Sequence, residues 1–251
     1  MVDCSKLTSQ LDRKVECFVF DAIPSTNDFL LQKGFGENTQ ICVTREQIKG
    51  KGQHGRSWAC QKDASVLLSI RYNFDSNCYL GGLSLAVGLA VIQTLEQDYG
   101  LEGFKLKWPN DILFNDKKLS GILIENQTQG TTQSAVIGLG LNYCIDEKLD
   151  CKTPWTDLSN MMEKLPTLEA LNSQLAVNII KACDNFAKLG FANFKDHWHA
   201  YDYLYGKPLI WEREKQILKG VACGIGNDGA LKLQLDNNIQ RIYSSEHIQL
   251  I

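Results

Sequence analysis

The chain has no surplus of positive charge, no long apolar run and no metal-type cysteine pattern, and each absence removes a class of function. Its 251 residues carry 26 Lys+Arg against 29 Asp+Glu, a net charge of −3, so the protein as a whole is not built to bind nucleic acid. No segment is long enough to span a membrane, and the opening Met-Val-Asp-Cys-Ser-Lys has no apolar signal region. Nine cysteines are scattered without a Cys-x-x-Cys pair or metal-ligand spacing, which fits a reducing cytoplasm better than a disulfide framework. Long charge runs, low-complexity tracts and internal repeats are missing too, which argues against disorder. Hydrophobic residues make up 44%, enough for a full globular core in one large unit plus a small one.

The patterning predicts an α+β fold, a mixed sheet with helices packed on it. Cys17 to Phe20 reads as a first strand, and Ser25 or Thr26 as the cap of a helix running towards Lys33. Strands are expected over 40–44, 66–72 and 135–141, with a polar turn over 126–133. Leu83, Val87, Ala90, Val91 and Leu95 recur at helical spacing up to Gly100, and Leu168 to Leu189 does so between Thr167 and Gly190. A shorter helix carries Phe194, Trp198 and Tyr201. Residues 143–160 have no clear period and read as a long loop able to close over a ligand. Beyond Tyr205-Gly206-Lys207-Pro208 come short strands over 209–211, 217–223, 230–235 and 239–243, separated by turns such as Asn227-Asp228-Gly229, the pattern of a small β-barrel. The expected division is therefore 1–205 and 206–251.

Two segments carry chemistry. In Lys107-Trp-Pro-Asn-Asp-Ile-Leu-Phe-Asn-Asp-Lys-Lys-Leu-Ser-Gly-Ile-Leu-Ile-Glu125, Pro109 bars a helix and pushes Trp108 into an extended conformation. A strand follows, then a tight turn at Asn115-Asp116 and a returning strand, so Lys107 and Lys118 flank one hairpin. Two lysines and an Asn110-Asp111 pair around a hairpin suit a phosphorylated ligand. The second segment, Arg45-Glu-Gln-Ile-Lys-Gly-Lys-Gly-Gln-His-Gly-Arg-Ser-Trp58, surrounds Gly50, Gly52 and Gly55 with positive charge. Such a backbone approaches an anion closely and meets it with amide groups. Its spacing is not that of a Walker loop. Gly50-x-Gly52-x-x-Gly55 matches the dinucleotide fingerprint literally, but no apolar helix follows, so that reading is rejected.

At these residues the chain resembles a biotin–protein ligase. That family carries a glycine- and arginine-rich loop ending in Gly-Arg-x-Trp, followed by Lys-Trp-Pro-Asn-Asp and Lys-Leu-x-Gly-Ile-Leu-x-Glu. Ser25-Thr26-Asn27, Val66-Leu67-Leu68-Ser69 and Val136-Ile137-Gly138-Leu139-Gly140-Leu141-Asn142 also match, in the family's order, from about Phe20 to the C-terminus. The resemblance implies a class II synthetase-like catalytic domain related to lipoate ligases, plus a small C-terminal Src-homology-3-like barrel. About sixteen residues precede the first expected strand, so the expectation is a monofunctional form without the winged-helix repressor domain of many bacterial members.

The implied reaction joins biotin to ATP as biotinyl-5′-adenylate with release of pyrophosphate, and then transfers biotin to a lysine of a biotin carboxyl carrier protein. Joining two anions calls for positive charge rather than a protein nucleophile. The resemblance assigns Lys118 to the biotin carboxylate and nascent phosphoryl group, and Arg56 and Lys107 to phosphate. Asn110 and Asp111 fall beside Mg²⁺ and phosphates, with Asp111 also a candidate base for the acceptor lysine. Ser25, Thr26, Asn27, Gln47, Gly50, Lys51, Gln53, Trp58 and Gly121 fall at biotin, and Asn142 and Trp58 at the nucleotide. A homodimer through sheet edges is also compatible with the resemblance, whereas DNA and membrane partners are not expected.

Each position also has a plain structural reading: Ser25 and Thr26 as a helix cap, Trp58 as a core residue, Asn110-Asp111 as a turn, Lys118 as a solvated hairpin lysine. One residue departs from the family, for Gln53 stands where relatives often have arginine and cannot make a charge-assisted bidentate contact. Faster loss of the adenylate is the expectation. The nearest alternative is a lipoate or octanoate ligase, which would need a longer apolar tunnel and fewer urea partners. An alternative of another class is a non-catalytic biotin sensor or nucleic-acid module.

Overall fold

A computed structural model of the protein, describing residues 2, 4–146, 153–213, 216–246 and 248–251, contains a seven-stranded mixed sheet and a second sheet of five strands. It opens with a helix that the sequence pattern does not signal, α1 (Cys4–Leu11), followed by β1 (Val15–Phe20). Cys4 and Cys17 are joined as a disulfide, with Cα atoms 5.9 Å apart. The expectation of unpaired cysteines is corrected by this pair, which meets because α1 folds back on β1 and not because of any sequence spacing.

Ser25 caps α2 (Thr26–Lys33) by accepting from the Asp28 amide, as expected. Strand β2 (Thr39–Thr44) runs parallel to β1, and β3 (Ser65–Asp75) antiparallel to β2. Helix α3 (Leu83–Tyr99) stops at Gly100, which adopts the left-handed conformation (φ 68°). Strands β4 (Phe104–Lys107), β5 (Asp111–Phe114), β6 (Lys117–Gln129) and β7 (Thr132–Asn142) then form an antiparallel meander. The polar segment 126–133, expected as a turn, instead extends both β6 and β7. Its residues pair through the backbone ladder, Gln127 opposite Ser134 and Thr128 opposite Gln133, and only Gly130 and Thr131 are left at the bend. Trp108, Pro109 and Asn110 form the turn between β4 and β5, where Trp108 was expected to be extended, and the Trp108–Pro109 bond is cis.

Helix α4 (Leu168–Leu189) is capped by Thr167 and ended by Gly190, where the apolar period placed it, and α5 (Lys195–His199) is a short helix after it. Strands β8 (Pro208–Arg213), β9 (Gln216–Ile225), β10 (Leu231–Gln234), β11 (Ile239–Ile242) and β12 (Ile248–Leu250) form the second sheet, in the order β11-β10-β9-β8-β12. It is antiparallel, with β11 and β12 as its two edges, and is compatible with the small Src-homology-3-like barrel that was expected, although the sheet does not close on itself. Strand β12, at three residues, is too short to show a period.

Strand alternation explains where the ligand face lies. In β7, Ile137, Leu139 and Leu141 join the main core, to which α3 and α4 also contribute. The intervening Val136 joins a separate cluster with Leu30 of α2 and Cys42 of β2, on the opposite face. Gly138, Gly140 and Asn142 share that second face, as the period of two requires. A strand with glycine at every second position buries one side and leaves a shallow trough on the other.

Candidate active site

The trough is the floor of a cavity of about 760 Å³. Ser25, Thr26, Asn27, Gln47, Lys51, Gln53, Arg56, Trp58, Lys107, Asn110, Asp111, Lys118, Gly121 and Asn142 all line it, so residues far apart in sequence meet in one place. Gly50 is the exception among the sequence candidates. It lies beneath the Trp58 backbone, where an added methyl group would sit 2.5 Å from the Trp58 carbonyl oxygen.

At one end of the cavity, the N-terminus of α2 presents Ser25, Thr26 and Asn27, all less than 5% exposed. Gln47 Oε1 accepts from the Thr26 amide at 2.8 Å and lies 3.0 Å from Thr26 Oγ1. Ser69 of β3 approaches both Thr26 Oγ1 (2.7 Å) and Asn27 Oδ1 (2.6 Å). The cap reading of Ser25 therefore holds alongside a pocket position. This cluster offers a few fixed hydrogen-bonding groups beside apolar lining residues such as Trp58 and Leu123, as recognition of a small ligand requires.

The β5–β6 hairpin supplies the opposite end. Its turn places Asn115 and Asp116 in the left-handed region (φ 48° and 61°), the conformation that a two-residue hairpin loop needs. Lys118 Nζ contacts Asp111 Oδ1 at 2.6 Å, and both side chains are about one quarter exposed. The Lys118 backbone is fixed on both sides, donating to the Pro154 carbonyl and accepting from Thr156. Asn142 braces the same place by donating to the Lys118 and Thr156 carbonyls. Asn110 is held by its side chain to the Ile122 carbonyl, and the Ser84 hydroxyl donates to the Pro109 carbonyl. Trp108 is buried, and its indole N–H donates to the Gly229 carbonyl of the β9–β10 turn, which ties this motif to the second sheet.

The glycine loop forms the roof. Residues 53–55 make a single 3₁₀ turn, with His54 in the left-handed region (φ 55°), and an isolated bridge joins Lys51 to Ser57. No helix follows Gly55, in keeping with the rejected dinucleotide fingerprint. Trp58 is neither a core residue nor an open lid. Its ring lies against Gly140 and Gly121, where a methyl group at Gly140 would approach it to 2.5 Å, and Lys118 Nζ is 5.6 Å from the ring centroid. Lys51 pairs with Asp28 at 2.5 Å, and that hydrogen bond raises its pKa above the ordinary lysine value. Arg56 remains exposed at the loop's end. His54 reaches Ser245 and Glu246 beyond β11, so the roof also leans on the second sheet.

Sequence reasoning missed several lining residues. Trp155 lies in the stretch expected to be a closing loop and bridges Lys118 as a short strand-like contact, while residues 147–152 of that stretch lie outside the described residues. Its lack of period left no signal. Ser245, Ile248 and Leu250 line the cavity from the second sheet, which sequence reading placed apart. Ser69 and Glu125 lay inside matched segments without a role. Among the described residues no group of three or more His, Cys, Asp or Glu side chains could hold a metal alone. A single carboxylate at Asp111 nevertheless suits Mg²⁺, which keeps waters and binds through one or two carboxylates plus substrate phosphates.

Comparison with known proteins matches residues 19–142 to the biotin/lipoate A/B protein ligase family. The chain is 29% identical over 246 residues to a bifunctional ligase/repressor BirA of Salmonella typhimurium, covering 96% of this chain and 76% of that protein. A biotin–[acetyl-CoA-carboxylase] ligase of Mycobacterium tuberculosis is 36% identical over 125 residues, 47% of this chain and 46% of that protein. Among solved structures, the biotin protein ligase of Aquifex aeolicus in complex with biotin and ATP superposes with a TM-score of 0.79 at 24% identity, over 94% of this chain and 98% of that one. That likeness extends the agreement in fold through the second sheet.

Proposed function

Because the chain belongs to the biotin/lipoate A/B protein ligase family, we propose its activity within it: an ATP-dependent biotin–protein ligase that makes biotinyl-5′-adenylate and transfers biotin to a carrier lysine. The observation that carries this reading is the single cavity in which a hydrogen-bonding cluster at Thr26 and Gln47 faces a cationic hairpin at Lys118. A cyclic urea needs the first, and a carboxylate meeting a triphosphate needs the second.

In the first half-reaction a biotin carboxylate oxygen bonds to the α-phosphorus of ATP as the bond to the β-phosphate oxygen breaks. Pyrophosphate leaves with the electron pair. Lys118 stabilises the charge that gathers at the new mixed anhydride, and Arg56 and Lys107 hold the phosphates. Ser25, Thr26, Asn27 and Gln47 orient the urea, while Lys51, Gln53, Trp58 and Gly121 enclose the ligand. Asn142 braces the nucleotide end. Asp111, with Asn110 beside it, would hold Mg²⁺, which lowers the repulsion between the reacting anions when bound. In the second half-reaction a neutral lysine amine of the carrier attacks the acyl carbon, AMP leaves, and the amine proton is lost. Asp111 serves here as organiser more than as base, since its carboxylate is already engaged by Lys118.

We assign residues 1–205 to catalysis and 206–251 to a small accessory unit, and place the activity in the cytoplasm. Among the described residues no helix is long and apolar enough to cross a membrane. A biotin carboxyl carrier protein is the acceptor this reading requires. The direct test supplies the purified chain with ATP, Mg²⁺, a carrier domain and either biotin or lipoate, and reads the carrier by mass spectrometry. A mass gain of one biotin on the carrier lysine supports the reading. A gain with lipoate alone would move the chain to the other branch of the family.

A further inference from the structure

Glu125, at the far end of the Lys-Leu-x-Gly-Ile-Leu-x-Glu segment, takes no part in the chemistry above, yet it anchors a hydrogen-bond chain that ends in the pocket. Glu125 Oε2 accepts from Asn27 Nδ2 at 2.8 Å, and the Leu123 carbonyl accepts from the same nitrogen at 3.4 Å. Two acceptors on one side fix which end of the Asn27 amide is nitrogen. Asn27 Oδ1 therefore faces Ser69 Oγ, 2.6 Å away.

An amide oxygen only accepts, so Ser69 commits its one proton to Asn27. Ser69 then has no proton left for Thr26 Oγ1, 2.7 Å away, and the Thr26 hydroxyl gives its own proton to Ser69 Oγ or to Gln47 Oε1 at 3.0 Å. Thr26 thus keeps both hydroxyl lone pairs for the cavity. Were the Asn27 amide reversed, Ser69 would donate to Thr26 and occupy one of them. Asn27 and Thr26 are each 4% exposed and Ser69 is fully buried, so bulk water has little access to reverse the chain. Asn27 Oδ1 occupies the space that a side chain at Gly138 would fill, so the glycine admits the amide in this position. Gln47 Oε1 is held by the Thr26 amide, which leaves Nε2 as the donor end.

We propose that Glu125 is a positioning residue for ligand recognition. It sets the direction of the Asn27–Ser69–Thr26 chain, so that Thr26 meets the N–H groups of a cyclic urea as an acceptor. The proposal rests on the biotin reading above and adds to it the group that gives the pocket its polarity. The competing role for Glu125 is charge balance for Lys51, whose pKa it also helps to raise.

Conservative substitutions separate the two roles. Glu125→Gln keeps an acceptor oxygen at the right reach but loses the charge, whereas Glu125→Asp keeps the charge and withdraws it by one methylene. Titration calorimetry of the full chain with biotin, and separately with ATP, reads both. Glu125→Gln is expected to bind biotin within about twofold of the unsubstituted chain and Glu125→Asp about tenfold more weakly, with ATP affinity unchanged in both. In a Ser69→Ala background, which cuts the chain, Glu125→Asp should weaken biotin no further. Thermal melting checks that each variant is folded, and Glu125→Met replaces Glu125→Asp if that variant is not. The proposal is overturned if Glu125→Asp binds normally while Glu125→Gln does not, or if the Glu125 and Ser69 effects add. If the unsubstituted chain binds no biotin, the functional reading fails and this proposal falls with it; otherwise only the role of Glu125 is at stake.

Discussion

The two cationic segments of the cavity are built in opposite ways. The β5–β6 hairpin is fixed by strand pairing on both flanks, by backbone bonds from Lys118 to Pro154 and Thr156, and by Asn142 beneath it. The glycine loop has one 3₁₀ turn and one isolated bridge, and its side chains lean on outside partners such as Asp28 and Glu246. The difference suggests a division of labour. A fixed lysine stabilises charge best where it develops, because no reorganisation is needed at the moment of reaction. A roof must admit ligand and then retain it, which favours a segment of low local stability.

The comparison is tested most severely at the hairpin. Lys118→Ala should cost about 10²–10³-fold in biotin-dependent pyrophosphate exchange. Biotin affinity should change much less, as calorimetry on the same variant would show. A parallel loss in binding and rate would mean that Lys118 holds ligand without acting on the reaction.

Next in size is the contact where roof meets floor. Gly140→Val forces its side chain into the Trp58 ring, so the floor strand or the roof must move. The expected result is about 1–3 kcal/mol of lost stability, read by urea unfolding, together with weakened binding of both substrates. An unchanged stability would show that Trp58 leaves the trough at little cost.

Gln53→Arg acts on the roof alone. It should slow adenylate release about tenfold in a stopped-flow chase and leave the melting temperature within about 2 °C, since no residue of the 53–55 turn is buried. An unchanged release rate would remove the link between this departure from the family and retention of the intermediate.

The smallest effect concerns the anchor at the loop's base. Arg45 forms a bidentate pair with Asp63, and that hydrogen bond holds the Asp63 carboxyl below its usual range. A carboxylate depressed in the folded state contributes stability above its unfolded pKa and loses it as pH falls through the folded value. The stabilisation should therefore be intact near neutrality and fade below about pH 4. Because the pair is well exposed, Asp63→Asn should lower the melting temperature by only about 1–2 °C at pH 7, with the difference vanishing in acid.

Legibility in the sequence followed the same division. Helix α4, the Gly100 stop of α3 and the hairpin turn were readable because their periods and caps are local properties of the chain. The lysines, the Asn-Asp pair and the α2 cap could be grouped because each sits in a distinctive short motif. Helix α1, the Cys4–Cys17 disulfide and β12 were not readable, since a short amphipathic turn, a cysteine spacing and three residues of strand carry little signal. Trp155 and the Ser245–Leu250 edge enter the site through tertiary packing, as does the bond from Trp108 to Gly229. The glycine alternation of β7 lay in plain view, but it marks a ligand trough only once the sheet's two faces are known.

The central claim is that one cavity holds biotin at α2 and activates it at Lys118, and ATP–pyrophosphate exchange on the purified chain with Mg²⁺ tests it most directly. Exchange that depends on biotin, is not supported by lipoate and is lost in Lys118→Ala is the predicted result. Exchange supported by lipoate alone, or none with either acid, would contradict the account.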